Sequence, residues 1–349
     1  MEENRLIIGL PSGSLADPAR GGNLIDLLRN AGFPTTGYDR GGPSEFAITP
    51  FFLGWDGRPQ EFGAQLGLRE IDVAIAGDDW IQERLLELKY EYKQKVKLQK
   101  VLSLKRGKVR IVAIINPARN FKSCEAWLDK LFQRNALVTV ASEMPYMALD
   151  WMQKKIVKLG FEKTHGQFSV QKFKTPPRIK NGIVIYETWG KTEAKIKNGS
   201  CQIGFEITQS GSAIMNYGLQ IAETVMESET GVYLNPLLKK DVAKYNLARM
   251  FLLNLYGAIF AENKVMITFN TKREAVDAMI DYLMKNKLFA NEPTLNHGVN
   301  FTEFSIQLDT QSTKLPLARV RYELARLGAT GIETIPLESS IPGLDAIEF

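Results

Sequence analysis

Cysteine and histidine are scarce in this chain. Cys124 and Cys201 are the only cysteines, and His165 and His297 the only histidines, among 349 residues. Two cysteines without CxxC spacing exclude a disulfide framework and argue against a zinc site, and nothing around either histidine matches a catalytic triad. Chemistry is therefore left to hydroxyl, carboxylate, amide and cationic groups. No run of eighteen apolar residues occurs, and the opening MEENRLIIGLPSG has acids where a secretory signal is basic, so we expect a cytoplasmic protein with no membrane role. A large charge of one sign is missing too. The 44 Lys and Arg against 39 Asp and Glu leave +5, too little to argue for nucleic acid and compatible with an anionic small substrate. Apolar residues at 44% and charged residues at 24% describe an ordinary folded chain, long enough for two or three cores, without internal repeats or low-complexity segments.

RLIIGLP followed by NLIDLLRNAGF, and EIDVAIAGDDWIQE, each read as strand, loop and helix, which predicts a mostly parallel sheet covered by helices. A second group follows: KVRIVAIIN, LVTVASEMP, NGIVIYETWG and CQIGFEITQSG are strands, with helices over SCEAWLDKLFQR and YMALDWMQKKIVKLGF. Two α/β lobes with a ligand cleft at the strand ends are expected. The long apolar helix DVAKYNLARMFLLNLYGAIFAE holds Lys244 and Arg249 and reads as buried or subunit-contacting near Phe251. The strand, helix, strand, helix, strand run after it predicts a small α+β module with an antiparallel sheet.

The stretch EITQSGSAIMNYGL, Glu206 to Leu219, sets an acid close ahead of Ser-Gly-Ser. Either Ser210 or Ser212 caps the next helix after a turn at Gly211, or the N–H groups of that helix start cradle a phosphate while the carboxylate holds sugar hydroxyls. Glu143 suits contact with a ribose or a magnesium-bound water, or a surface or capping role. Asp78 and Asp79 either orient a nucleotide or cap the helix at Trp80, with capping preferred. His165 and His297 read as ordinary polar residues, and Phe51, Phe52 and Trp55 as core rather than a base-stacking platform. Residues 90–110 hold eight Lys or Arg against one Glu, either a solvated strand and turn or an electropositive wall for a polyphosphate.

In this order, several stretches resemble ATP phosphoribosyltransferase, the first enzyme of histidine biosynthesis, in its long form. LIIGLPSGSL is similar to that family's first strand and loop, REIDVAIAGDDWIQE to its second strand and Gly-x-Asp turn, and VTVASEMP to its Ala-Thr-Glu-x-Pro segment. EITQSGSAIMNYGLQIAETVMESETGVYLNP is similar to its phosphoribosyl-pyrophosphate loop, and EPTL with LARLGATGIETIPLE to its regulatory module. The resemblance spans nearly the whole chain and favours the phosphate reading. It implies a two-lobed periplasmic-binding-protein-like α/β core, with residues 1–107 and 218–262 in lobe I and 108–217 in lobe II, and a ferredoxin-like (ACT-like) regulatory domain over 263–349.

The resemblance also implies substrates and sites. N1 of ATP attacks C1 of phosphoribosyl pyrophosphate and displaces pyrophosphate with Mg²⁺ present and without a covalent enzyme nucleophile. Glu206, Gln209, Ser210, Gly211, Ser212, Ala213 and Ile214 would hold the phosphoribosyl donor, and Ser12, Gly13, Ser14 and Asp78 the nucleotide. Histidine would inhibit from the C-terminal module, and the chain would assemble as dimers to hexamers. The chain departs from the family pattern in places. Glu206 stands where Asp is usual and Ala213 where a second hydroxyl is common. Pro11-Ser12-Gly13-Ser14-Leu15 replaces Pro-Lys-Gly-Arg-Leu, which removes two cations that Arg20, Arg58 or the basic passage would have to replace. A glycine- and proline-rich stretch from Pro34 to Arg69 also departs. The lost cations keep two alternatives open: a phosphoribosyltransferase for another acceptor, or a non-catalytic two-lobed binder of small anions.

Overall fold

In the computed structural model, residues 5–16, 22–38, 44–48, 50–118 and 121–347 are described. Two compact units are present, one of residues 1–25 and 35–248, the other of residues 26–34 and 249–349.

The chain begins with β1 (Leu6–Pro11), α1 (Leu24–Asn30), most of which belongs to the second unit, the short ribbon of β2 (Thr35–Thr36) and β3 (Glu45–Phe46), and β4 (Phe51–Gly57). α2 (Phe62–Leu68), β5 (Val73–Gly77), α3 (Asp78–Tyr90) and β6 (Gln99–Ser103) follow. The chain then builds a second sheet from β7 (Val109–Ile115), α4 (Cys124–Arg134), β8 (Leu137–Ser142), α5 (Pro145–Leu159), α6 (Glu162–His165), β9 (Phe168–Lys172) and β10 (Gly182–Glu187). It completes that sheet with α7 (Thr192–Lys197), β11 (Ile203–Thr208), α8 (Ser212–Asn216) and β12 (Gln220–Ser228), and returns to the first through β13 (Thr230–Leu234).

The first sheet runs β4-β1-β5-β13-β6 and the second β12-β7-β11-β8-β10-β9. Both are mixed rather than mostly parallel. β13 is antiparallel to β5 and β6, and β7 to β11 and β12, because these strands belong to the passages that cross between the sheets. Two such passages exist, residues 104–108 and Glu229, and they hydrogen-bond to each other: Leu104 N–H donates to Thr230 O, and Thr230 N–H to Arg106 O, each at 2.9 Å. The return to the first sheet thus falls after Ser228 and not at residue 218, since β12 pairs with β7 along its length.

From Ile111 on, β7 (IVAII) is a continuous apolar run because both faces of the second sheet are covered there. Ile111, Ala113 and Ile115 pack with Leu128, Phe132, Leu149 and Met152 of α4 and α5, while Val112 and Ile114 pack on the other face with Ile196, Ile214 and Leu219. The two sheets are also tied through their helices. Glu83 of α3, almost fully buried, accepts the N–H groups of Tyr146 (2.9 Å) and Met147 (2.7 Å), the otherwise unpaired donors at the start of α5.

α9 (Val242–Ala261) contains the boundary between the units. Phe251, expected on a buried or subunit-contacting helix, is fully buried, edge-on to Phe33 at 4.9 Å. The second unit continues with β14 (Lys264–Lys272), α10 (Val276–Asn286), β15 (Thr294–His297), β16 (Phe301–Asp309), α11 (Leu317–Arg326) and β17 (Thr330–Pro336). Its antiparallel sheet, ordered β15-β16-β14-β17, has the β-α-β-β-α-β ferredoxin-like arrangement. Alternate residues Ile267 and Phe269 of β14, and Phe304, Ile306 and Leu308 of β16, meet Met279 and Leu283 of α10 and Val320 and Leu324 of α11 in one core. Among the described residues no helix is long and apolar enough to cross a membrane.

Candidate functional site

Three neighbouring parallel strands, β11, β8 and β10, end on one edge of the second sheet, so the loops after Thr208, Ser142 and Glu187 lie together. That is the edge where open α/β sheets take ligands. The loop after β11 is a tight turn. Gly211 has φ +81, a left-handed conformation that other residues rarely adopt. Its N–H donates to Thr208 Oγ1 at 2.9 Å, Ser212 N–H donates to Ser210 Oγ at 3.3 Å, and the two serine hydroxyls are 2.9 Å apart. The N-cap of α8 is Gly211, so neither serine stands at the cap position, and the hydroxyls of both remain exposed with Gln209 and Ala213. Ile214 belongs to the core, so only its backbone is available to a ligand.

Glu206 stands at the base of this loop. Burial pushes its carboxyl up to about 7, the Thr192 hydroxyl opposes that shift, and the negative charges of Glu193 and Glu143 add to it. Glu143 does not cap α5, whose first N–H groups go to Glu83 while the Ser142 hydroxyl accepts Met144 N–H at 2.8 Å. Its carboxylate instead accepts Gly190 N–H and holds the turn after β10, where the Lys195 ammonium donates to Gly190 O at 2.5 Å. On the same turn, the Arg58 guanidinium lies 5.8 Å from the centre of the exposed Trp189 ring.

The antiparallel pairing of β11 and β7 puts Thr208 opposite Arg110, and Arg110 is in turn opposite Glu227 of β12. A Cβ added to Gly211 would lie 3.7 Å from the Arg110 guanidinium. Beside it opens a cavity of about 520 Å³ bordered by Asp78, Lys108, Arg110, Gln209, Glu227 and Glu229. The basic passage divides at this point. Lys100 is neutralised by Asp78 (2.8 Å) and Glu229 (3.0 Å), which keep its ammonium charged against the effect of burial. Among the described residues Lys108 and Arg110 make no direct ion pair, although the Lys108 charge acts on Glu229 and Glu227 stands opposite Arg110 in the same lining.

Asp78 lines this cavity, but Lys100, the Tyr233 hydroxyl and Glu229 N–H (3.3 Å) occupy its carboxylate. It does not cap α3. Asp79 accepts Trp80 N–H at 3.0 Å, and burial raises its own titration. Ser12 and Gly13 are exposed on the loop after β1, Ser12 N–H donating to Gly57 O at 2.8 Å, and Leu15 on the same loop lies against Gly107. Neither Ser12 nor Gly13 borders the cavity. The side chains of Ser14 and Trp55, and Arg20 altogether, lie outside the described residues. Phe51 is buried and Phe52 half-exposed.

The remaining reactive groups serve the fold. His165 is buried against Phe132 and Phe161 and bonded to Asn135 O at 2.8 Å, while His297 meets the Thr302 hydroxyl at 3.1 Å. The Cys124 thiol is pushed up to about 12 by burial and the nearby Glu223 carboxylate, the opposite of what a nucleophile requires. No group of three His, Cys, Asp or Glu side chains is placed to hold a metal among the described residues. Glu206 and Glu143 are two like-charged neighbours, a donor set that fits Mg²⁺ brought in with substrate phosphates and keeping several waters.

Residues 58–254 match the ATP phosphoribosyltransferase family. Over 351 residues the chain is 26% identical to ATP phosphoribosyltransferase of Geotalea uraniireducens, covering 97% of this chain and 99% of that protein. It is 27% identical to the Trichlorobacter lovleyi enzyme of the same name over 349 residues, covering 96% and 99%. A solved structure, the ATP phosphoribosyl transferase (HisG:HisZ) complex from Thermotoga maritima, has a chain that aligns with 72% of this one and 98% of itself, at 15% identity and a TM-score of 0.48.

Proposed function

The chain belongs to the ATP phosphoribosyltransferase family, and from that premise we propose that the cavity beside Gly211 is where this enzyme moves the phosphoribosyl group of phosphoribosyl pyrophosphate to N1 of ATP. The reaction releases pyrophosphate and opens histidine biosynthesis. One observation carries the placement: a left-handed glycine turn between two exposed serines faces Arg110, which with Lys108 lacks any ion pair among the described residues.

On binding, the donor's 5′-phosphate takes the place of the contacts made within the turn and accepts from the hydroxyls of Ser210 and Ser212 and from the N–H groups at the start of α8. Glu206, when ionised, accepts from the ribose hydroxyls. Lys108 and Arg110 stand toward the pyrophosphate, and in this chain they supply the charge that the serines at positions 12 and 14 do not. No side chain is required as a nucleophile, because the acceptor nitrogen attacks C1 directly and the departing pyrophosphate takes the bonding electrons. The work of the protein is to set donor and acceptor in line and to stabilise the charge that leaves. Magnesium bound with the donor would supply further neutralisation of the leaving group, with Glu143 and Glu206 as the side chains able to hold its waters.

The ferredoxin-like module is the place for histidine as an inhibitor, and assembly into dimers to hexamers is the state in which that inhibition would act. The test of the catalytic placement is Arg110→Ala. Losing one charge-assisted contact of about 1.5–3 kcal/mol should weaken the donor roughly 10- to 150-fold while leaving the melting temperature in place. An unchanged KM for the donor would move the site elsewhere.

A further inference from the structure

The second unit contains a hollow that the catalytic reading does not use. It has a volume of about 670 Å³ and lies where β14 begins and β16 ends. Lys264, Lys285, Lys287 and Lys314 border it. Asp309 is the one carboxylate in the lining, and its Oδ1 already accepts the N–H groups of Gln311 (2.8 Å) and Ser312 (3.2 Å) in its own turn. Among the described residues none of the four lysines makes an ion pair.

Their convergence is built into the backbone. Lys287 has φ +52 and closes α10 in the left-handed conformation, which places Lys285 and Lys287 on one rim. The turn that follows β16 brings Lys314 to the lining and keeps the Thr313 hydroxyl buried without a partner. Tyr256 and Phe260, one turn apart on α9, stack at 5.7 Å, and the Lys264 ammonium lies over the Phe260 ring. Burial lowers the pKa of Lys264, and Asp309 alone opposes it, so this cation is held at the hollow at some cost to the fold. Four cations around one concavity repel each other, and among the described residues Asp309 is the one lining carboxylate set against them.

We propose that the hollow is a second binding site that takes a compact polyanion, a small molecule bearing several phosphate charges. A free amino acid presents one carboxylate and one ammonium and would leave most of this charge unmet, so the site is distinct from one for histidine.

The test is calorimetric titration of the full-length protein with inorganic tripolyphosphate. Two classes of site are expected in the wild type. Arg110→Ala should weaken one, and Lys285→Glu with Lys314→Glu should weaken the other by roughly tenfold or more. The matched charge reversal Lys122→Glu with Lys130→Glu, on and beside α4, should leave both within about twofold, and melting temperatures confirm that each variant is folded. An unchanged second site in Lys285→Glu/Lys314→Glu overturns the proposal, as does an equal loss in the α4 pair, which would reduce the effect to diffuse charge. Displacement of tripolyphosphate from this site by L-histidine would also overturn it. If the catalytic placement were wrong, Arg110→Ala would leave both sites intact while the lysine pair still removed one.

Discussion

Replacing Glu206 by Gln should yield a protein that is more stable and less active, and pH should separate the two effects. The carboxyl is held at about 7 against an ordinary 4.5, mainly by burial. A site at that value is about one-tenth ionised at pH 6 and nine-tenths ionised at pH 8. If only the carboxylate accepts the ribose hydroxyls, kcat/KM for the phosphoribosyl donor should climb roughly tenfold across that interval. Glu206→Gln should remove that limb and, at pH 8, lower kcat/KM by about 10- to 100-fold through the loss of charge-assisted hydrogen bonds. Stability should move the other way. An acid raised above its unfolded value favours the folded state when neutral, so its contribution is full below pH 4.5 and is lost as the pH rises through 7. The glutamine should therefore melt above the wild type at pH 8, by an amount on the order of 1–3 kcal/mol. Pyrophosphate release against pH and thermal melts of both proteins provide the assay. A glutamine variant that keeps the acid limb, or melts lower at pH 8, refutes the reasoning.

Glu83→Ala strips two buried N–H groups of their acceptor and should cost about 2–4 kcal/mol by urea denaturation. Because burial holds the Glu83 carboxyl up at about 8 against an ordinary 4.5, its neutral form favours the fold, and the gap to wild type should narrow as pH rises from 4.5 through 8 and level off above it; a gap that widens contradicts the assignment. Gly211→Ala would meet nothing nearer than 3.5 Å, so its effect comes from the backbone alone. A positive φ should cost about 1–2 kcal/mol and raise the donor KM, and wild-type values of both KM and melting temperature would count against the loop.

Much of the site could be read from local pattern. Gly211 between two serines after an apolar strand identifies a turn into a helix, and the strand ending at Ser142-Glu143 is there as read. Periodicity predicts strand, helix, strand, helix, strand for the C-terminal module and misses β15, four mostly exposed residues that become a strand through their pairing with β16. What escaped depends on residues far apart in the chain. Lys100, Lys108 and Arg110 look alike in sequence, yet Lys100 is consumed by Glu229 and Asp78 while the other two face the cavity. Glu83 reads as one more exposed helix acid until α5 arrives from 63 residues away to use it. β12 reads as the way back to the first lobe, but it pairs with β7, because a strand is assigned by its partner and not by its own residues.

The central claim is that this cavity transfers a phosphoribosyl group to ATP with charge from Arg110. It is tested most directly by pyrophosphate release from phosphoribosyl pyrophosphate and Mg²⁺, with and without ATP, by wild type and Arg110→Ala. The account predicts release that requires ATP, ribose attached to N1 of the recovered adenine, and a large loss in the variant at equal melting temperature. Release that is indifferent to ATP, or no release by a folded protein that binds the donor, would contradict it.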